Sequence, residues 1–131
     1  MTRSEAREQA FIVLFEKIFD NESTISQIVD NAVEGELIKI NNFAQTLLNA
    51  VDENAECVDG VIAEFSKGWT IERLPKVSLA VMRLAIGEMK FVEDVPTGVS
   101  VNEAVELTKK YGTAEDAAYV NGVLGAVAKS L

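Results

Sequence analysis

Histidine is absent from the chain and cysteine occurs once, at Cys57. The commonest general base is therefore missing, a lone thiol cannot close an internal disulfide, and there is no set of soft ligands for structural zinc. One unpaired cysteine suits a reducing compartment, so the protein is expected in the cytoplasm. Long apolar runs are lacking too. The stretch Phe11–Phe15 is far shorter than the roughly 20 residues that span a bilayer, and no charged segment ahead of an apolar one marks a signal peptide. Basic residues are scarce, 12 against 21 acids for a net charge of −9. Taken alone, that balance argues against a nucleic-acid binder, whose affinity comes largely from neutralised phosphates. Catalytic templates fail in turn. Gly122 and Gly125 lie inside a helical pattern rather than a phosphate loop, the serines have no histidine, and acid pairs such as Asp52-Glu53 fall in an acidic stretch. Neither an enzyme nor a bound cofactor is expected.

What the chain does contain is enough apolar surface for a core. Its 131 residues are 48% apolar and 25% charged, the composition of one globular domain spanning residues 1–131. A chain of this length buries roughly 68% of its unfolded surface without disulfides or metal. Charge is segregated along it. Between Asp20 and Phe65 ten acids meet one base, Lys39, so that stretch carries the whole net charge and the remainder is neutral. Within the remainder, Lys67–Lys90 holds five bases against Glu72 and Glu88, a locally positive segment. A polyanion is expected to land away from the acidic lobe.

Apolar residues recur at helical spacing without sustained alternation, which predicts an all-α fold. A first helix, about Ser4 to Phe19, carries Phe11, Leu14, Phe15 and Ile18 on one stripe, and a second follows Ser23-Thr24 with Ile25, Ile28, Val29 and Ala32. A third holds Ile40, Phe43, Leu47 and Val51, and a fourth runs from Cys57 to Phe65. After a short turn at Ile71–Leu74, Pro75 opens a helix from Lys76 to about Val92 that is apolar nearly all round and so is predicted to be central. Ser100 and Glu103 fit a capping box for a helix ending at Gly112, and Thr113 caps the last one. About seven helices result.

Few residues are candidates for binding. Lys76, Arg83 and Lys90 are spaced by seven, within about 40° of one another around their helix. They form either a solvent edge, with Arg83 paired to an acid, or a track for phosphates. Arg3 and Arg7 extend the first helix's apolar stripe, and either reach the same groove or belong to a frayed terminus paired with Glu5 and Glu8. Tyr111 and Tyr119 bracket the Gly112-Thr113 turn, with Lys109-Lys110 just before it. Tyr119, on a core boundary, is either an ordinary boundary ring or a surface on which an unpaired base stacks. The phenylalanines at 11, 15, 43 and 65 read as core.

Trp69–Leu74 (WTIERL), Val77–Leu84 (VSLAVMRL), Glu88, Val95-Pro96, Val101–Leu107 (VNEAVEL), Lys110-Tyr111-Gly112 and Tyr119–Leu124 (YVNGVL), in that order, resemble the NusB family of transcription antitermination factors. The likeness is strong from Trp69 to Leu124, looser over Arg7–Ala10 and Leu14-Phe15, and faint from Asn21 to Asn42. It implies two packed helical bundles and a protein that binds boxA-type single-stranded RNA as a heterodimer with NusE, a ribosomal small-subunit protein. The complex is implied to help RNA polymerase read through terminators, chiefly in ribosomal RNA operons. Carried over by position, the family's RNA contacts fall on Arg3, Arg7, Arg83, Tyr111 and Tyr119, with Lys109 and Lys110 alongside. Phe15, where the family often has a tyrosine, is placed near the NusE-binding face.

The family's N-terminus often carries a cluster of arginines, whereas this one has two, interleaved with Glu5 and Glu8. Weak RNA binding by the isolated chain, and dependence on a basic NusE, are therefore expected. The same domain also occurs fused ahead of RNA methyltransferases; with the chain ending at Leu131, a stand-alone factor is expected. Some members self-associate, which leaves monomer and homodimer both open. The alternative reading is a helical protein-interaction module with little RNA binding of its own.

Overall fold

A computed structural model describes residues 1–131 as seven α-helices and one 3₁₀ turn, with no strand. Helices α1 (Arg3–Phe19), α2 (Ile25–Glu34) and α3 (Asn42–Glu53) form one bundle. The other consists of α4 (Ala55–Phe65), α5 (Lys76–Phe91), α6 (Thr97–Tyr111) and α7 (Ala114–Ser130), with the 3₁₀ turn at Ile71–Arg73 ahead of α5. No helix is long and apolar enough to cross a membrane.

Side-chain caps set several helix starts. Thr2, Thr24 and Thr113 each accept from the backbone N–H three residues on, and Glu5, Gln27 and Asp116 accept the threonine's own N–H in return. Each box satisfies N–H groups that lack an intrahelical partner, and a cap of this kind stabilises by about 1 kcal/mol. The start of α1 is therefore fixed rather than frayed. Two expectations are corrected. Ile40 lies ahead of α3, which starts behind Asn41, whose side chain accepts from the Ala44 N–H. Helix α6 begins at Thr97 rather than behind Ser100, because Pro96 (φ −61°, ψ 138°) already delivers the chain into the helix. Ser100 is then interior and buried, and Glu103 turns to Ser4 and Arg7 instead of capping.

Helix α5 belongs to both bundles. It packs on α1, α3, α4, α6 and α7, its segment Ser78–Gly87 is buried save for Arg83, and one apolar cluster continues through both halves. Gly87 sets the approach of α3, since a Cβ there would sit 2.7 Å from Val51 Cγ2. At the α6–α7 turn a Cβ on Gly112 would lie 3.1 Å from the Thr108 carbonyl and 3.0 Å from the Asp116 carboxylate. That tightness places Tyr111 directly before α7.

Candidate nucleic-acid interface

The first turns of α1 lie against the C-terminal half of α6, and this junction gathers most of the residues singled out above. Arg7 is buried at 3% exposure. Its Nε lies 2.9 and 3.1 Å from the two carboxylate oxygens of Glu88 on α5, its Nη2 is 2.8 Å from Glu88 Oε2, and its Nη1 is 3.5 Å from Glu103 on α6. The guanidinium therefore faces inward, paired with neither Glu5 nor Glu8. Arg3, one turn earlier, is exposed and has no carboxylate partner; its guanidinium lies 4.3 Å from the centre of the Phe43 ring, with that of Arg7 at 5.2 Å. Phe43 is thus a cation–π platform as well as a core-edge ring.

Glu8 organises the other side of the junction. Its carboxylate accepts from the Tyr111 hydroxyl and pairs with the Lys110 ammonium, whose Nζ stands 5.5 Å from the centre of the Tyr111 ring. The Lys110 and Tyr111 hydrogen bonds hold the Glu8 carboxyl below the usual carboxylate range. Partial burial, then the hydrogen bond to Glu8 and its charge, push the Tyr111 phenol up to about 12. Tyr111 packs one side on Phe11, centroids 4.9 Å apart, and remains 40% exposed. Lys109 sits 3.5 Å from Glu106, so each lysine of the pair has a glutamate beside it. Glu5, Glu8, Glu103 and Glu106 line a depression of about 300 Å³ here, with Lys110 at its wall. The junction offers an exposed ring with an acidic border, and the Arg3 guanidinium, free of any carboxylate, stands beside Phe43 of α3.

Arg83 and Tyr119 lie elsewhere. Arg83 and Glu88 point about 140° apart around α5, and Arg83 makes a two-point contact with Asp59 of α4 at 2.9 and 3.0 Å. It lines a separate groove of about 520 Å³ with Leu14, Ile18, Lys76 and Leu79. Arg83 is thus paired to an acid, with both side chains partly exposed. The Tyr119 ring meets Trp69 edge-on at 6.4 Å, while Lys110 goes to Glu8 and Tyr111. The Tyr119 hydroxyl is buried near Ser66 without a well-aligned hydrogen bond, and burial raises its pKa. Phe15 lies on α1 between Phe11 and Phe19, with centroids at 5.8 and 5.2 Å, and Phe19 is 65% exposed.

Glu88, Glu8 and Phe43 are the site residues that local patterns missed. One signal was available for Glu88: with Val81, Leu84 and Ala85 it continues a core-facing stripe, and an acid at such a position needs a partner.

The model of the NusB family matches residues 4–129. The chain is 41% identical over 127 residues to the transcription antitermination protein NusB of Agathobacter rectalis, covering 95% of this chain and 97% of the relative. It is 38% identical over 135 residues to that of Natranaerobius thermophilus, covering 100% and 97%. Among solved structures, NusB of T. maritima superposes with a TM-score of 0.88 at 30% identity, covering 98% of this chain and 92% of that one. A chain from a structure of antitermination factors NusB and NusE with double-stranded RNA superposes with a TM-score of 0.87 at 28% identity, covering 98% and 97%. A capped α1, a shared central α5 and the Tyr111-Gly112 turn are thus built on a sequence whose relatives span its full length, and the chain belongs to the NusB family of transcription antitermination proteins.

Proposed function

We propose that this chain binds boxA-type single-stranded RNA together with NusE, and that within an RNA polymerase antitermination complex in the cytoplasm it supports processive transcription of ribosomal RNA operons. The observation that carries the reading is the exposed Tyr111 ring at the α1–α6 junction, flanked by Lys110, with Arg3, free of any carboxylate, on the first turn of α1 beside Phe43 of α3. A similar chain solved with NusE and double-stranded RNA supports the pairing of RNA with that partner. A duplex hides its base faces, whereas an exposed tyrosine face is useful to an unpaired base, which favours a single strand here.

In this reading Arg3, Lys109, Lys110, Tyr111 and Tyr119 face the RNA. Arg7 acts by position, holding α1 against α5 with Arg3 one turn away, and Arg83 contributes only by leaving Asp59. Phe15 and the exposed Phe19 offer NusE an apolar surface on α1. With four glutamates around the junction and a net charge of −9, the isolated chain binds RNA weakly and a basic partner supplies the missing phosphate contacts. Transcription in vitro from a ribosomal leader template tests the function. Added together with NusE and the remaining antitermination factors, the chain is expected to raise read-through of a downstream terminator, and the effect is expected to vanish when boxA is scrambled. Equal read-through from both templates contradicts the reading.

A further inference from the structure

We propose that Trp69 is an RNA-stacking residue, which with Tyr119 forms a second platform for an unpaired base, away from the α1–α6 junction. The proposal rests on the RNA-binding reading and adds a contact to it. Trp69 is the chain's only tryptophan, and it stands 50% exposed on the loop between α4 and the 3₁₀ turn. That loop holds a defined shape: Gly68 takes φ +84°, where only glycine is unstrained, and the Trp69 N–H donates to the Ser66 carbonyl at 3.1 Å. The Tyr119 ring meets the indole edge-on, at 6.4 Å and 68° between planes, while half of the tryptophan stays exposed.

Charge identifies the occupant. Lys67 and Arg73 are exposed on the same loop and turn and have no carboxylate within ion-pair distance, whereas Lys76 is half-buried, donates to the Glu72 carbonyl at 3.3 Å and lines the groove that holds Asp52 and Asp59. A half-exposed indole on a segment that carries two cations free of carboxylates, Lys67 and Arg73, on a chain of net charge −9, fits a ligand with a flat apolar face and a negative backbone. An unpaired nucleotide has both.

Because Trp69 is the only indole, a complex made with Trp69→Phe is the blank for any mixture with NusE. Titrating unlabelled boxA-type RNA into the chain with NusE is expected to quench the Trp69 fluorescence left after that subtraction. Trp69→Ala is expected to weaken binding of labelled RNA by about 5- to 150-fold, the range of one lost base stack, with Trp69→Phe recovering part of it. Circular dichroism checks that the variants are folded, and the fluorescence of the unaltered chain needs no variant beyond the blank. RNA that binds by anisotropy, leaves the Trp69 signal unchanged and binds Trp69→Ala equally well overturns the platform while the RNA-binding function stands. A Trp69 signal that responds to NusE and not to RNA overturns it in favour of a protein contact. Failure of every mixture to bind RNA overturns the functional reading, and the platform with it.

Discussion

Arg7 of α1 and Glu88 of α5 lock together at 2.8 to 3.1 Å with their side chains only 4% and 2% exposed. Two charges taken out of water are tolerable only as a hydrogen-bonded pair, so each residue makes the other obligatory. The pair also fixes the N-terminal half of α1 on the central helix. Arg3 lies one turn before it and Glu8 directly after, so the geometry of the proposed RNA face depends on a contact that the RNA need not touch.

Arg7→Ala is expected to destabilise the fold by about 3–5 kcal/mol, because it strands a buried carboxylate. The double change Arg7→Met with Glu88→Leu is expected to recover most of that loss, since both charges go together. Urea denaturation of the two proteins checks this. Equal destabilisation of single and double variants contradicts the assignment.

Glu8 restrains both Lys110 and Tyr111, so Glu8→Gln is expected to tighten RNA binding several-fold and to bring the Tyr111 pKa down. Alkaline titration of phenolate absorbance reads the second effect, because the chain has only two tyrosines and Tyr119→Phe isolates Tyr111. The sign of the pH dependence follows from the shifts. The Tyr111 pKa is raised to about 12, so its contribution to stability is complete below the ordinary tyrosine pKa of about 10 and is lost as pH climbs toward the folded value. Glu8 is depressed, so its contribution is present above the ordinary glutamate pKa and is lost as pH falls through its lower folded value.

Gly87 faces Val51 across the α3–α5 contact, where an added Cβ would meet Val51 Cγ2 at 2.7 Å. Overpacking of this kind costs about 1–3 kcal/mol, offset in part by the better helix propensity of alanine. Gly87→Ala is therefore expected to lower stability, and Val51→Ala in the same chain to cost less than the two separate losses combined. Thermal denaturation of the three variants measures the coupling, and simple additivity rejects it.

Tyr119→Phe is expected to leave stability nearly unchanged, because the buried hydroxyl has no well-aligned partner to lose. Tyr119→Ala is expected to weaken RNA binding by about 1–3 kcal/mol if the ring stacks a base. Unchanged affinity in a folded Tyr119→Ala protein returns this ring to the core boundary.

Helix placement was legible because its determinants are local. Threonine caps lie next to the helices they start, and the apolar girth of α5 is visible in a run such as VSLAVMRL. The Ser100–Glu103 pattern misled for a local reason as well, since Pro96 starts the helix before the apparent cap is reached. The site was less legible. Whether Arg7 faces solvent or core depends on Glu88, 81 residues away, and Arg83 is claimed by Asp59, 24 residues away. Helical spacing ranks such cations equally, and only the packing of α1 and α4 on α5 separates them.

The most direct test of the account is the fluorescence anisotropy of a labelled boxA-type RNA with this chain alone, NusE alone and the two together, against a scrambled RNA and at two salt concentrations. Weak binding by the chain, tight and sequence-selective binding by the mixture, and a steep loss at the higher salt are the predicted results. Tight binding by the chain without NusE contradicts the dependence on a partner, and a mixture that binds both RNAs equally contradicts the proposed function itself.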